Sequence, residues 1–178
     1  MGRVAFVLAD DFEDSEFRVP YDRLIEEGHV VTVVGRTAGK AVTGKRGKET
    51  VTPTASADTV SAADFDALVI PGGYSPDKLR MDEGIVKFVK GFFGSDKPVA
   101  AICHGGSLLV EADAVEGRTV TSWPSVRTDL VNAGAEWVDE EVVVDGSLVT
   151  SRQPEDLPAF TEAILDKLDA TRRMPADV

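Results

Sequence analysis

Short apolar runs alternate with helical segments along this chain. The runs at 3–9 (RVAFVLA), 30–34 (VVTVV) and 98–103 (PVAAIC) are almost wholly apolar, as expected of strands buried on both faces of a parallel sheet. About thirty residues separate the starts of the first two runs, a spacing that fits a right-handed β-α-β crossover. The alternation therefore predicts an α/β fold, a three-layer α/β/α sandwich around a mostly parallel sheet.

The remaining segments continue this alternation of strands and helices. A helix is predicted after the acidic loop, ending near Gly28, and the other helices are predicted at 85–93, 105–114, 125–134 and 154–170. Further strands are predicted at 66–73, where a strand ends in a glycine turn, at 118–123, and in a hairpin over 141–151 that turns at Asp145-Gly146. Residues 35–60 are interpreted as a short hairpin excursion. With no linker and no internal repeat, residues 1–170 are expected to form a single domain and residues 171–178 a frayed tail.

Composition excludes several classes of function. The formal charge of −12 argues against a nucleic-acid partner, because phosphate neutralisation needs clustered Lys and Arg. No apolar run approaches the roughly 18 residues of a membrane span, and the N-terminus has no signal-peptide pattern. A single cysteine cannot form an internal disulfide, so a cytoplasmic location is expected. The acidic balance suits either a salt-rich cytoplasm or an ordinary acidic protein.

The only cysteine, Cys103, ends a predicted strand and is followed at once by His104, Gly105 and Gly106. Sites of open α/β sheets form at such strand ends, and a nucleophile between strand and helix lies on a sharp turn that needs small neighbours. The helix N-terminus is expected to favour thiolate over thiol and to offer N–H groups to an oxyanion. The alternative is a small buried structural cysteine. The glycine pair favours the nucleophile.

Two other strand ends carry candidate partners for Cys103. VIPGG at 69–73 ends in Gly72 and Gly73, whose backbone can approach a ligand closely, and the Gly73 N–H could complete an oxyanion hole. The acidic loop at 10–20 holds Glu13 and Glu16, and a carboxyl directed at the sulfur could exchange a proton with it. The plainer alternatives are a surface turn and a solvated acidic helix start.

Four segments, in order along the chain, resemble the PfpI family of intracellular cysteine peptidases: DDFEDSEFRVPYDRLIEEGHVV, FDALVIPGGYSPDKLR, KPVAAICHGGSLL and NAGAEWVDEEVVVDGSLVTSRQPEDLPAF. The resemblance extends from about residue 3 to residue 168. The family belongs to the superfamily that includes the parkinsonism-associated deglycase. It implies a flavodoxin-like, class I glutamine-amidotransferase-like fold, no cofactor, no metal, and a homo-oligomer, either a dimer or a ring of dimers.

The resemblance also implies roles for individual residues. Cys103 would be the nucleophile and Glu16 the carboxylic acid hydrogen-bonded to it, with Gly73 and the His104 backbone as the oxyanion hole. His104 would be the triad base, and the third member an acid from a neighbouring subunit, at Asp77, where the family has the longer Glu. The expected substrate-binding residues are Gly72, Trp123, Arg152 and Glu13. Neighbouring side chains at a tight turn usually diverge, so we expect His104 to be a weaker partner for the sulfur than Glu16. His29 is expected to be structural.

Three functions are compatible with these residues. The first is cofactor-free chemistry on α-oxoaldehydes or glycated substrates, which needs Cys103 and Glu16. The second is a peptidase or amidase that forms an acyl-enzyme and needs His104 as base. The third is a non-enzymatic stress protein whose low-pKa cysteine is oxidised as a sensor or chaperone switch. A thiol with a nearby acid favours the first, with small aldehyde or glycated substrates ahead of peptides.

Overall fold

A seven-stranded sheet forms the centre of the chain in a computed structural model that describes residues 1–173. The strands within these residues are β1 Arg3–Val7, β2 Val30–Gly35, β3 Val42–Thr43, β4 Thr50–Val51, β5 Ala55–Ser56, β6 Ala67–Ile70, β7 Val99–Ile102, β8 Thr119–Val120, β9 Glu136–Trp137, β10 Val143–Asp145 and β11 Leu148–Ser151. The order across the sheet is β10-β11-β7-β6-β1-β2-β5. All neighbours are parallel except the β10–β11 hairpin.

Helices cover both faces of this sheet. The α-helices within the described residues are α1 Asp14–Glu26, α2 Ser75–Leu79, α3 Glu83–Lys90, α4 Gly106–Glu111, α5 Arg127–Asn132 and α6 Leu157–Arg173. Side chains of α1 and α6 pack in one apolar cluster and those of α2 to α5 in another. The clusters lie on opposite faces, because successive residues of a strand point to opposite sides. In β1, for example, Ala5 belongs to one cluster and Phe6 to the other. The predicted three-layer α/β/α sandwich is therefore confirmed.

The long apolar runs were the reliable predictors of strands. The runs at 3–9, 30–34 and 98–103 are strands of the central sheet, and the Asp145-Gly146 turn joins β10 to β11 with Gly146 at φ +58°. The predicted strand at 118–123 is wrong in extent: only Thr119–Val120 is extended, and it pairs with β9 outside the main sheet. The segment 35–60, interpreted from the sequence as a short hairpin excursion, contains the β3–β4 hairpin and also β5, which forms one edge of the central sheet.

Helix boundaries shift by a few residues from the predictions. The segment predicted as one helix from 105 begins with a 3-10 turn at Cys103–Gly105 before α4, and the short helix α2 was not predicted. The last helix ends at Arg173, so the first three residues of the predicted tail at 171–178 are helical and the other five lie outside the described residues. Within residues 1–173, no helix is long and apolar enough to cross a bilayer.

Candidate active site

Three loops meet at the carboxyl edge of the sheet, because β1, β6 and β7 are parallel neighbours. Phe12 and Gly73 form an isolated antiparallel bridge, and the Glu13 N–H donates to the Gly72 carbonyl at 3.2 Å. Gly73 has φ +74°, and a Cβ there would lie 2.5 Å from the Asp11 carbonyl oxygen. Glycine therefore allows the loop after β6 to fit against the loop after β1 and the turn that holds Cys103.

Cys103 lies on a strained turn at the end of β7. Its φ is +61°, in the left-handed region that side-chain-bearing residues rarely adopt. Gly105 makes the turn possible, because a Cβ there would lie 2.9 Å from the Ile70 carbonyl oxygen. The cysteine is 8% exposed, so its sulfur is sheltered at the end of the strand. This is the strand–nucleophile–helix geometry that the glycine pair predicted.

Glu16 lies in the first turn of α1 and is fully buried. The Gly72 N–H donates to its Oε1 at 2.9 Å, and Oε2 has no hydrogen-bond partner among residues 1–173. Gly72 separates the acid from the cysteine: a Cβ on it would lie 2.5 Å from Glu16 Oε1 and 2.7 Å from Cys103 Cβ. Burial raises the pKa of Glu16 to about 8, with the Gly72 hydrogen bond opposing and the nearby charge of Glu13 adding to the rise. The carboxyl is therefore mostly protonated at neutral pH.

The thiol of Cys103 is neutral at the same pH. Burial raises its pKa to about 12, and the charge of Glu16 adds to the rise. The N–H groups of Gly73 and His104 hydrogen-bond the sulfur and lower its pKa, as does the charge of Lys45. The helix start therefore acts in the expected direction, toward the thiolate, but burial outweighs these donors and the net pKa of the thiol is raised. A thiolate forms here only when a base removes the proton.

His104 is placed to be that base. Its Nδ1 lies 3.2 Å from the Cys103 sulfur, so the expected divergence of the two neighbouring side chains does not occur. Its Nε2 lies 3.3 Å from Ser125 Oγ. Burial and the positive charge of Lys45 lower the pKa of His104, and the charge of Asp77 raises it. Since the lowering contributions dominate, the imidazole is neutral at pH 7 and free to accept a proton.

The other predicted residues occupy different positions. Asp77 is exposed in the first turn of α2. Trp123 is 39% exposed, and its backbone N–H donates to the Cys103 carbonyl at 3.2 Å. Glu13 is buried and pairs with Lys45 and Arg46.

Arg152 is already engaged by carboxylates of its own chain. Its Nε and Nη2 donate to the two oxygens of Asp156 at 2.9 and 3.0 Å, and its Nη1 donates to Asp139 at 2.9 Å. The guanidinium is therefore held as part of the scaffold beside β11. His29, as expected, has a structural contact: its Nδ1 accepts from the Gly2 N–H at 3.0 Å.

Three residues of the site were not predicted from the sequence: Asp14, Lys45 and Ser125. Asp14 is buried and accepts from the N–H groups of Arg46, Lys48 and Glu49, which fixes the loop between β3 and β4. That loop carries Lys45. A buried carboxylate that closes a distant loop has no local sequence signal, because its partners lie more than thirty residues away.

The described part of the chain holds no group of three or more His, Cys, Asp or Glu side chains arranged to bind a metal ion. The groups that could do chemistry are therefore a thiol, an imidazole, a buried carboxyl and the N–H groups of Gly73 and His104. Together they can add a sulfur nucleophile to a carbonyl, stabilise the oxyanion and move a proton.

The sequence matches the profile of the DJ-1/PfpI family over residues 2–167. It is 51% identical to general stress protein 18 of Bacillus subtilis over 168 residues, which cover 94% of this chain and 98% of the relative. It is 50% identical to protein/nucleic acid deglycase 2 of Escherichia coli over 169 residues, with the same coverage. Its fold is similar to the crystal structure of Drosophila melanogaster DJ-1beta, with a TM-score of 0.84, 30% identity, and coverage of 96% of this chain and 95% of that one.

Proposed function

Since this chain belongs to the DJ-1/PfpI family, we propose that it is a cofactor-free cysteine enzyme that acts on α-oxoaldehydes, or on amines and thiols glycated by them. The observation that carries this proposal is Glu16, a fully buried carboxyl with one oxygen free of hydrogen bonds, packed through Gly72 against the nucleophile. A pKa of about 8 lets this group hold and release a proton near neutral pH. An aldehyde rearrangement needs a group that moves a proton between two adjacent carbons, and this carboxyl can do so.

The first step forms a hemithioacetal. His104 Nδ1 accepts the thiol proton, the sulfur bonds to the aldehyde carbon, and the carbonyl π pair moves to the oxygen. The N–H groups of Gly73 and His104 stabilise that oxygen until it takes the proton back from the imidazolium. The raised thiol pKa makes this proton transfer necessary, because no standing thiolate is present.

The second step moves a proton between adjacent carbons. The carboxylate form of Glu16 takes the proton from the former aldehyde carbon, giving an enediolate, and then delivers it to the neighbouring carbon. The hydroxyl proton on the first carbon's oxygen passes to the oxygen of the second carbon. The first carbon is thereby oxidised to a thioester and the second reduced to an alcohol, so no external oxidant or reductant is needed. Water then cleaves the carbon–sulfur bond, and a 2-hydroxy acid and the free thiol are formed.

Glycated amines and thiols can enter the same path. In such an adduct the aldehyde carbon carries an amine or thiol. When the Cys103 sulfur bonds to that carbon, the amine or thiol leaves with the bonding pair and takes the proton that His104 accepted from the Cys103 thiol. The E. coli relative is named a protein/nucleic acid deglycase, which supports this extension.

A cysteine peptidase is the second candidate, favoured by the 3.2 Å contact between Cys103 Sγ and His104 Nδ1. In the chain itself the other imidazole nitrogen faces Ser125 rather than a carboxylate. A complete triad would therefore need an acid such as the exposed Asp77 from another subunit. A redox sensor is less favoured, since it requires a low-pKa thiol and burial raises the pKa of Cys103.

Variants of Cys103 and His104, assayed on methylglyoxal and on a peptide, separate the two candidate functions. We expect Cys103→Ser to abolish methylglyoxal turnover. We expect His104→Ala to slow it strongly, because the thiol loses its base, and to leave a small activity in which the carboxylate form of Glu16 takes the thiol proton instead. A fluorogenic peptide assayed with the same preparations should show no cleavage. Peptide cleavage that depends on His104 would favour the peptidase, and methylglyoxal turnover by Cys103→Ser would exclude covalent catalysis.

We also propose that the chain acts as a cytoplasmic homo-oligomer. Large apolar side chains lie exposed near the site: Tyr74 is 62% exposed, Met81 82% and Trp123 39%. A second subunit on this surface would also be in a position to supply the intersubunit acid at Asp77 that the family resemblance implies. Light scattering after gel filtration measures the oligomeric state, and a monomer at micromolar concentration would contradict this proposal.

A further inference from the structure

Lys45 reaches the candidate active site from the β3–β4 hairpin loop. Its backbone N–H donates to the Phe12 carbonyl at 2.9 Å, and the loop around it is closed by a hydrogen bond of 2.9 Å from the Gly44 N–H to the Glu49 carbonyl. The Asp14 carboxylate accepts three further hydrogen bonds from backbone N–H groups of this loop. The position of the lysine backbone is thus fixed relative to the loop that follows β1.

The lysine side chain points toward the reactive groups. Its Nζ lies 2.8 Å from Glu13 Oε2 and 5.9 Å from the centroid of the Tyr74 ring. The Tyr74 ring in turn lies 6.4 Å from the ring of His104. Tyr74 directly follows Gly73, whose N–H faces the sulfur. Tyr74 therefore lies close to the ammonium, to the imidazole and, along the chain, to an oxyanion donor.

Glu13 does not belong to Lys45 alone. It is shared between two cations, since Arg46 Nε also lies 2.8 Å from it, at Oε1. The carboxylates of Asp14 and Glu155 act on Arg46, whereas the negative groups that act on Lys45 besides Glu13 are Cys103 and Glu16, which belong to the site. The field of Lys45 reaches all three reactive groups, because it lowers the pKa values of Glu16, Cys103 and His104.

We propose that Lys45 is a specificity-determining residue that makes Cys103 prefer electrophiles carrying a carboxylate beside the reacting carbon. The ammonium and Tyr74 together offer a carboxylate a partner at the mouth of the site, while the sulfur attacks the adjacent atom. For carbonyl substrates this inference rests on the proposed function. There it predicts that glyoxylate, an anionic aldehyde, forms a hemithioacetal with Cys103 more tightly than neutral aldehydes of similar size.

The test uses alkylation, which needs no enzymatic turnover. Iodoacetate and iodoacetamide have similar size and differ in charge, and in each the sulfur bonds to the CH₂ carbon while iodide leaves with the bonding pair. Cys103 is the only cysteine, so total alkylation reports this site alone. The quantity measured is the ratio of the iodoacetate to the iodoacetamide rate constant, divided by the same ratio for the denatured chain.

Arg46 provides a matched control. Lys45→Gln and Arg46→Gln each remove one positive charge from the same Glu13 carboxylate, one residue apart, but the Arg46 side chain is 59% exposed against 33% for Lys45. We expect Lys45→Gln to lower the normalised ratio about five- to tenfold, as removal of a nearby charge in a half-buried site would. Arg46→Gln should change it less than twofold, Lys45→Arg should largely restore it, and high salt should reduce the wild-type ratio.

The outcomes separate this inference from the proposed function. An unchanged ratio in Lys45→Gln, or equal losses in Lys45→Gln and Arg46→Gln, would overturn the role of Lys45, whatever the turnover of methylglyoxal. A lowered ratio in Lys45→Gln in an enzyme without aldehyde turnover would leave the electrostatic role standing and contradict the proposed function. Circular dichroism spectra of the variants check that each is folded. If Lys45→Gln is not folded, the salt dependence of the wild-type ratio keeps the test decisive, because a ratio that does not change with salt would overturn the electrostatic role.

Discussion

Glu16 is buried without an ionic partner, and its burial opposes folding as the pH rises. The unfolded chain releases this proton near the ordinary value of 4.5, and the folded chain only near 8. Between these values the folded state binds more protons, so stability from this group is complete below pH 4.5 and is lost as the pH approaches 8. At about 1.4 kcal/mol per pKa unit, the loss is about 5 kcal/mol.

Replacing Glu16 by Gln should therefore stabilise the fold at alkaline pH. The amide keeps an oxygen for the Gly72 N–H and has no charge to bury, although its NH₂ adds unpaired donors. We expect a gain of about 2 to 4 kcal/mol at pH 8.5 that disappears near pH 4, measured by urea unfolding at both values. A variant less stable than wild type at pH 8.5 would show that the carboxylate is stabilised by groups other than Gly72.

The candidate nucleophile could be predicted from local sequence, and most of its surroundings could not. Cys103 stands at a strand end before a glycine pair, a pattern contained within a few residues. Glu16 was placed through the family resemblance, since an acid at a helix start has many ordinary explanations. The contact of His104 with the Cys103 sulfur depends on the positive φ of Cys103. The position of Lys45 near the site depends on the β3–β4 hairpin loop. Neither is encoded in a short motif.

At the scale of elements, α1 and the ends of β6 and β7 approach one another closely at Gly72. A Cβ at Gly72 would meet Glu16 Oε1 at 2.5 Å, Cys103 Cβ at 2.7 Å and the Ile102 carbonyl oxygen at 2.8 Å. We expect Gly72→Ala to abolish aldehyde turnover and to destabilise the fold by about 2 kcal/mol or more. Gly106→Ala is the control, because its Cβ would meet only Leu130 side-chain atoms, at 3.3 Å or beyond, and Val126. Equal losses in the two variants would contradict this steric account.

The β3–β4 hairpin loop depends on one carboxylate of α1. Burial opposes the charge on Asp14, but the N–H groups of Arg46, Glu49 and Lys48 outweigh it and lower its pKa. We expect Asp14→Ala to cost about 2 to 3 kcal/mol of stability and to increase hydrogen exchange of the amides at 45–49. Asp22→Ala, which removes an exposed ion pair with Arg18, should cost less than about 1 kcal/mol. Unchanged exchange at 45–49 in Asp14→Ala would show that the loop is held by other contacts.

The elements that could be predicted are those long enough to show a recognisable sequence pattern over several residues. The strands of the central sheet are continuous apolar runs, and the Asp145-Gly146 turn is a strong local signal. The strands β5 and β8 have only two residues each, too few for an alternation of apolar and polar residues to show. Each is defined by the strand it pairs with. The sequence at 118–123 looked like a longer strand because it is rich in Thr and Val, although only its first part finds a partner.

At the scale of the whole molecule, one sheet carries apolar clusters on both faces. The strands β1, β6 and β7 contribute to each cluster, so loss of the sheet would disrupt the two together. The expectation of a single domain over residues 1–170 stays a prediction. Coincident unfolding curves from tryptophan fluorescence and far-UV circular dichroism would support it.

The overall charge of −12 should make the fold sensitive to salt. Excess carboxylates repel one another across the surface, and added ions screen that repulsion. We expect the melting temperature to rise by several degrees between low salt and about 1 M NaCl, where the screening length is about 3 Å. A melting temperature that falls over this range would show that attractive surface ion pairs, such as Arg18–Asp22 and Arg80–Glu111, outweigh the net repulsion.

The central claim is that Glu16 moves the proton that converts a Cys103 hemithioacetal into product. Its most direct test is the initial rate of 2-hydroxy acid formation from methylglyoxal by Glu16→Gln, with iodoacetamide alkylation of Cys103 measured on the same sample. We predict a loss of at least about a hundredfold in the rate, as for removal of a general acid–base group, while Cys103 remains open to alkylation. A Glu16→Gln enzyme that keeps most of the wild-type rate would contradict the account.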